Sequence, residues 1–269
     1  MPPANQFAIL ISMRILIQPT LATFDEYQKY ANENNFDFEI VDFASSDVLD
    51  SSPEELVKQY LAKEDSSRLI SMHGAFIDLY INSPDSTIKK AAQNRIIQNL
   101  EIAKELGLKY VIFHTNNLPM MGREAYYEGW VKEHVSFWKE IIARYDVTIL
   151  LENMWDKTPE YVARVIEEVN SPQLKLCFDT GHFNVFSEVP IEEWFKRLGS
   201  NIAYLHLNDN KGDRDSELTL GEGTIDWKKV SDLVLEHCNK PLVAIELKNL
   251  QMIESSVLYS KKNKLYPYN

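Results

Sequence analysis

The chain has 269 residues, of which 45% are hydrophobic and 25% are charged, and its formal net charge is −12 at pH 7. This length is typical of one α/β barrel domain, and this composition excludes a disordered chain because it supplies a large apolar core. The negative charge disfavours nucleic acid as a partner, because the mean electrostatic field of the protein repels a polyanion.

The cysteine content and the N-terminal sequence indicate a cytoplasmic protein. Two cysteines, Cys177 and Cys238, are too few for a disulfide framework, so a reducing compartment is expected. The apolar stretch FAILISMRILI is too short to cross a bilayer and contains Arg14. It also lacks the basic region that precedes the apolar stretch of a secretion signal. We therefore predict no membrane association and interpret this stretch as the first strand.

Short apolar runs alternate with longer amphipathic segments from one end of the chain to the other. Eight runs predict strands: ILISMRILI, FDFEIVDF, SRLISMHGAF, KYVIFHTN, VTILLENM, LKLCFDTGH, IAYLHLND and LVAIEL. Between them, apolar residues recur at i, i+3, i+4 and i+7, as in a helix that packs on a sheet. These segments are TFDEYQKYANEN, SPEELVKQYLAKE, TIKKAAQNRIIQNLEIAKELG, YEGWVKEHVSFWKEIIARY, TPEYVARVIEEV, PIEEWFKRLG and DWKKVSDLVLEHCN.

This alternation predicts a parallel sheet covered by helices. Eight units predict a (β/α)8 TIM barrel that forms a single domain over residues 1–269, and a doubly wound open sheet is the alternative. Ser52-Pro53 and Thr158-Pro159 predict helix starts with a capping hydroxyl, and Gly107 and Gly199 predict helix ends. The last segment, SSVLYSKKNKLYPYN, is short for an eighth helix, so we expect it to fray or to pack against a second copy in a homo-oligomer.

Polar residues gather where the predicted strands end. In a TIM barrel the carboxyl ends of the strands carry the active site. Three carboxylates and four imidazoles at one end would be costly without a cation among them. Imidazole nitrogens and carboxylate oxygens suit zinc, manganese or iron. The sequence therefore predicts a divalent metal site built from His73, His114, Glu152, Asp179, His182, His206 and Glu246.

In their order and spacing, several motifs resemble the metal-dependent barrel superfamily of the xylose isomerase-like sugar isomerases and epimerases, which also contains the endonuclease IV type of AP endonucleases. The motifs are SMHGAF, AKELGLKYVIFHTN, LLENM, CFDTGHFNV, YLHLNDNKGDRDSELTLGEGTIDW and AIEL. The resemblance covers nearly the whole chain and implies the same barrel fold.

The resemblance also implies metal ligands for one or two ions. One ion would be held by Glu152, Asp179, His206 and Glu246, and a second, as in the endonuclease-type members, by His73 and His114 with Glu152. A third ion would use His182 and Asp215, but Glu217 stands where that family carries a histidine.

Two chemistries remain open at the sequence level. The first is isomerisation or epimerisation of a small sugar or sugar phosphate, in which resemblance to ketose 3-epimerases assigns proton transfer to Glu152 and Glu246. His182, Lys211 and Arg214 would hold substrate oxygens, and Trp155 would form either a substrate wall or a cover for the barrel rim. The alternative is phosphoester cleavage by a multi-metal cluster, which His73 and His114 favour and the net charge disfavours.

Overall fold

The computed structural model describes residues 14–76, 78–118 and 121–269, which contain a closed barrel of eight parallel strands. Each strand pairs with the next along the chain, and β8 pairs with β1. The predicted TIM barrel is therefore confirmed, and the open sheet is excluded. The strands are β1 Ile15–Ile17, β2 Asp37–Ile40, β3 Leu69–His73, β4 Tyr110–His114, β5 Thr148–Glu152, β6 Leu174–Asp179, β7 Ile202–Leu207 and β8 Leu242–Ile245. Residues 9–13 of the predicted first strand lie outside the described residues.

Helices connect the strands and cover the outside of the barrel. They are α1 Phe24–Asn34, α2 Ser46–Asp50, α3 Pro53–Leu61, α4 Ser86–Leu106, α5 Glu124–Ile142, α6 Glu160–Val169, α7 Thr180–Phe186, α8 Ile191–Leu198, α9 Trp227–His237 and α10 Leu250–Lys262. The expectation that the C-terminal segment is short for a helix and frays was wrong, because α10 begins before it and Leu265 and Tyr266, beyond the end of this helix, are buried. Packing against a second copy stays a prediction. Asn249 caps this helix, accepting the amide of Met252 at 3.0 Å, and Ile253 and Val257 are buried.

The helix boundaries agree only partly with the expected capping signals. Helix α3 begins at Pro53 as predicted, but Ser52 makes no capping hydrogen bond. Helix α6 begins at Glu160, with Pro159 and not Thr158 at the N-cap. Gly107 ends α4 in the left-handed conformation (φ 68°), as expected. Gly199 is right-handed, and its lack of a side chain matters because an added Cβ would lie 2.6 Å from the Cβ of His237.

The buried apolar residues form two layers, one outside the strands and one inside the barrel. The larger layer lies between the strands and the helices. The smaller layer fills the barrel interior and consists of Leu16, Ile70, Ile112, Leu150, Cys177, Tyr204 and Ala244. This plug closes the barrel below the strand ends, so polar groups at those ends have an apolar floor. Among the described residues, no helix has the length and apolar character that crossing a membrane requires.

His134 lies in the core beneath α5, where its ring stacks on Trp130 with 3.9 Å between the centroids. Its Nδ1 donates to the Trp130 carbonyl at 2.8 Å. Burial lowers the pKa of His134 to about 4, although backbone hydrogen bonds with Trp130 and Thr115 oppose the shift. The folded protein therefore holds this imidazole neutral at pH values where an unfolded chain would protonate it.

We expect His134 to contribute to acid unfolding. Between its unfolded pKa near 6.5 and its folded pKa of about 4, the unfolded state binds more protons, so stability falls as pH falls. The contribution, about 3 kcal/mol, is complete above this window and lost below it. Denaturant unfolding of the wild type and His134→Gln from pH 7 to pH 4 measures it. The wild type should lose stability relative to the variant, and parallel pH profiles would contradict the assignment.

Candidate metal centre

The predicted site residues meet at the carboxyl ends of the strands. Strands β3, β4, β5 and β6 end on His73, His114, Glu152 and Asp179, respectively. Parallel register sets Glu152 beside His114, and Asp179 beside His206 of β7. Glu246 directly follows β8, and His182 lies in the first turn of α7, where its amide donates to Asp179 Oδ1 at 2.5 Å. Barrel closure therefore brings all seven residues to one end.

The first group of converging ligand atoms contains His73, His114 and Glu152. The Nε2 atoms of the two histidines lie 3.2 and 3.4 Å from Oε2 of Glu152. His73 donates from Nδ1 to the Gly74 carbonyl at 2.8 Å, so its Nε2 keeps a free lone pair. Within the described structure, Oε2 of Glu152 is buried without a hydrogen-bond partner. An orphaned carboxylate oxygen facing two imidazole nitrogens is the arrangement that a metal ion satisfies.

The second group contains Glu152, Asp179, His206 and Glu246, whose ligand atoms lie within 4.8 Å of one another. Nδ1 of His206 lies 3.1 Å from Glu152 Oε1 and 3.0 Å from Glu246 Oε2. Three carboxylates and one imidazole in one buried cluster need a cation to balance their charge. Glu152 belongs to both groups, so its two oxygens face two adjoining positions.

The pKa shifts show how strongly these carboxylates respond to nearby positive charge. Burial raises the pKa of Asp179 well above its usual range, and the charges of Glu246 and Glu152 add to this effect against that of His182. Burial also acts to raise the pKa of Glu152, but His206 and His114 hold it well below its usual value. His206 likewise lowers the pKa of Glu246 to about 2, against the effect of burial. Glu152 and Glu246 are therefore both anions of the cluster and depend on neighbouring cations or donors. The donor set fits zinc, manganese or iron.

A cavity of about 210 Å³ opens over this cluster. Its charged and titratable lining consists of His73, His114, His182, Asp215, Glu217 and Glu246. Glu152 and Asp179 lie beneath the lining and are completely buried. The histidines of the first group and Glu246 of the second thus face the space in which a substrate would bind.

The residues suggested for a third ion lie near one another without converging. Nε2 of His182 lies 3.3 Å from Oδ2 of Asp215. Glu217 lines the same cavity from a residue with φ 48°. Within the described ranges, these three residues do not form a group whose ligand atoms all lie within 4.8 Å of one another. The third metal position stays a prediction.

Three suggested substrate contacts lie outside the cavity lining. Lys211 and Arg214 are exposed on the loop after β7, and Trp155 is half-buried after β5. Met154, the neighbour of Trp155, lines the cavity instead. Contacts of Trp155, Lys211 and Arg214 with substrate therefore stay predictions.

Buried Asp209 organises the loop after β7. Its carboxylate accepts the amide of Gly221 at 2.9 Å and the indole N–H of Trp227 at 2.8 Å. A Cβ on Gly223 would lie 2.0 Å from Oδ1 of Asp209. The glycines of TLGEGTIDW thus let the loop wrap closely around this carboxylate.

Sequence reasoning missed Glu39, which is fully buried in β2. Its Oε1 lies 3.1 Å from Nε2 of His206, and its Oε2 accepts the hydroxyl of Tyr204 at 2.5 Å. The run FDFEIVDF carried a signal, because Glu39 lies between two apolar residues in the middle of a buried parallel strand, where a carboxylate has no route to water.

Comparison with known proteins gives a family and several relatives. The family described as xylose isomerase-like TIM barrel matches residues 29–262. An uncharacterized protein of Methanocaldococcus jannaschii is 29% identical over 193 residues, which cover 68% of this chain and 65% of that protein. A probable endonuclease 4 of Lachnoclostridium phytofermentans is 29% identical over 186 residues, which cover 61% and 60%, respectively. The chain therefore spans less than two thirds of the length of these curated relatives.

Solved structures share the fold. A D-tagatose 3-epimerase-like protein superposes with a TM-score of 0.76 at 24% identity, covering 94% of this chain and 97% of its own. A Thermus thermophilus protein soaked with zinc chloride gives a TM-score of 0.69 at 22% identity, covering 93% and 97%. At these sequence identities, the structural similarity shows a shared fold and nothing more.

The two groups that share Glu152 lead us to expect two zinc ions per chain at saturation. The double variant His73→Ala, His114→Ala should keep one ion, because Glu152, Asp179, His206 and Glu246 are all retained. Elemental analysis after purification without chelator and equilibration with zinc measures the stoichiometry. His237→Ala, at the end of α9, is the matched control and should bind as much zinc as the wild type. An unchanged zinc content in the double variant would rule out the first position.

Proposed function

Because the chain belongs to the xylose isomerase-like TIM-barrel family, we propose that it is a divalent-metal-dependent isomerase or epimerase of a small sugar or sugar phosphate. Members of this superfamily are enzymes, and the barrel end carries the ligand groups described above. The proposal thus concerns the substrate and the reaction of this particular chain.

The observation that carries the proposal is the lining of the cavity. None of the lining residues in the described part of the chain is a lysine or an arginine, and three are carboxylates: Asp215, Glu217 and Glu246. Carboxylates accept hydrogen bonds from hydroxyl groups and repel phosphate groups. A volume of about 210 Å³ suits a small molecule. These features favour a neutral, polyhydroxylated substrate, and within the proposed class they favour a sugar over its phosphate.

The two carboxylates considered for proton transfer, Glu152 and Glu246, differ in burial, and this difference narrows the reaction. Glu246 lines the cavity, whereas the side chain of Glu152 has no exposed surface and lies behind the imidazoles. We therefore assign proton transfer to Glu246 and a ligand role to Glu152. One carboxylate can move a proton between adjacent carbons on one face of the substrate, as aldose–ketose isomerisation requires. Inversion at a single carbon requires a second group on the opposite face.

The remaining residues bind and orient the substrate. His182 donates from Nδ1 to the Asn153 carbonyl at 2.9 Å, so its Nε2 faces Asp215 and the cavity. Asp215 and Glu217, which also line the cavity, would accept hydrogen bonds from sugar hydroxyls. A divalent ion held beneath would polarise the sugar carbonyl and acidify the neighbouring C–H bond.

Phosphoester hydrolysis is the second candidate, and one observation favours it. His73 and His114 converge on the free oxygen of Glu152, so two adjoining ions could clamp a phosphoester. A probable endonuclease 4 is also among the relatives. Against a duplex DNA substrate stand the net charge of −12 and the acidic cavity lining. We therefore place hydrolysis second.

We expect the Glu246→Gln variant to lose sugar isomerisation by at least about a hundredfold, the lower end of what a positioned general base contributes. The assay is proton NMR in D2O with zinc- or manganese-loaded protein and a panel of neutral aldoses and ketoses. In the wild type, the product should gain one deuterium at the carbon that receives the proton.

Zinc content is measured on the same samples, because Glu246 is also a proposed ligand. Glu236→Gln, exposed on α9, is the matched control and should turn over like the wild type. If no sugar reacts and a phosphodiester or abasic-site DNA is cleaved, the second candidate replaces the first.

A further inference from the structure

Glu39 lies on the side of His206 opposite the metal ligands. Nδ1 of His206 faces Glu152 and Glu246 at 3.1 and 3.0 Å. Its Nε2 faces the two oxygens of Glu39 at 3.1 and 3.3 Å. A neutral imidazole has one donor nitrogen and one acceptor nitrogen, and neighbouring groups decide which is which.

A network of hydrogen bonds fixes the orientation of the Glu39 carboxylate. Tyr204 donates its hydroxyl to Oε2 at 2.5 Å, and Gln18 donates its amide to Oε1 at 2.7 Å. The hydroxyl of Ser71 lies 2.9 Å from that of Tyr204 and 3.4 Å from Oε2 of Glu39. These donors come from β3, β7 and the residue after β1, so the barrel itself holds the carboxylate in place.

Burying the carboxylate of Glu39 costs folding free energy, which its contacts must offset. Its side chain has no exposed surface, and an ionised carboxylate in such surroundings is strongly disfavoured without donors and a cationic partner. The imidazole of His206 is the cationic or donor group that Glu39 contacts, and the tyrosine and glutamine donate to the same two oxygens. An apolar residue would fill this place in the barrel more cheaply.

We propose that Glu39 is a positioning residue for the metal centre. Its carboxylate accepts the Nε2–H of His206, and this presents Nδ1 of His206 as the ligand nitrogen. This inference rests on the proposed metal centre and deepens it. A histidine ligand whose other nitrogen donates to a carboxylate is held in one tautomer and becomes a stronger ligand. The same carboxylate also adds negative charge behind the ligand group.

The first test is zinc affinity, measured by competition with a chromophoric chelator. Glu39→Gln keeps the shape of the side chain and removes its charge, and we expect it to weaken zinc binding by about 10-fold to 100-fold. Asp37→Asn is the matched control, because Asp37 lies two residues away on β2 and pairs with Arg14 at 3.2 Å. This control should bind zinc as the wild type does. Equal affinities of wild type and Glu39→Gln would overturn the proposal.

The second test reads the tautomer directly and needs no variant. In zinc-loaded wild type with ¹⁵N-labelled histidine, we expect a proton on Nε2 of His206 and none on Nδ1. Coordination through Nε2 would overturn the proposal even if Glu39→Gln failed to fold. Both readouts are independent of sugar turnover. If the wild type binds zinc and converts no sugar, only the proposed reaction fails, whereas a wild type that binds no zinc would overturn both.

Discussion

The buried carboxylate of Glu152 is the constraint on which the polar end of the barrel depends. It has no exposed surface, and four imidazoles lie within 3.4 Å of its oxygens: His73, His114, His182 and His206. A buried carboxylate in this position is tolerated only when a cation or hydrogen-bond donors balance its charge. Each of the four imidazoles comes from a different element, so the centre exists only when β3, β4, α7 and β7 are all in place around β5.

The fold meets this constraint by separating apolar and polar layers within the barrel. The interior plug below the strand ends excludes water from beneath the cluster. Above the plug, hydrogen bonds orient the ligands: Gly74 accepts from His73, Asn153 accepts from His182, and Glu39 faces His206. Each backbone or carboxylate acceptor leaves one imidazole nitrogen free on the side of Glu152 or the cavity. The ordinary architecture of the barrel thus brings the possible ligand groups together at one end.

The sequence predicted the barrel because its apolar periodicity switches regularly between strand and helix. It also predicted which polar residues meet, since parallel strands all bring their carboxyl ends to the same edge. Finer features of the site and of the helix ends depend on contacts between side chains and backbone in the folded chain, which no local sequence pattern indicates. The positioning role proposed for Glu39 depends on its contacts with Tyr204 and His206, which lie far along the chain. Likewise, serine is a residue type that often caps helices, but only the folded geometry shows that Ser52 makes no capping hydrogen bond.

We infer that Glu152 joins two adjoining metal positions at the mouth of this barrel. Anomalous diffraction at the zinc absorption edge, from crystals grown with zinc, tests it most directly. We expect two peaks, one on each side of the Glu152 carboxylate: one beside His73 and His114 and one between Asp179, His206 and Glu246. Anomalous density at neither position, or at only one of them, in crystals saturated with zinc would contradict this inference.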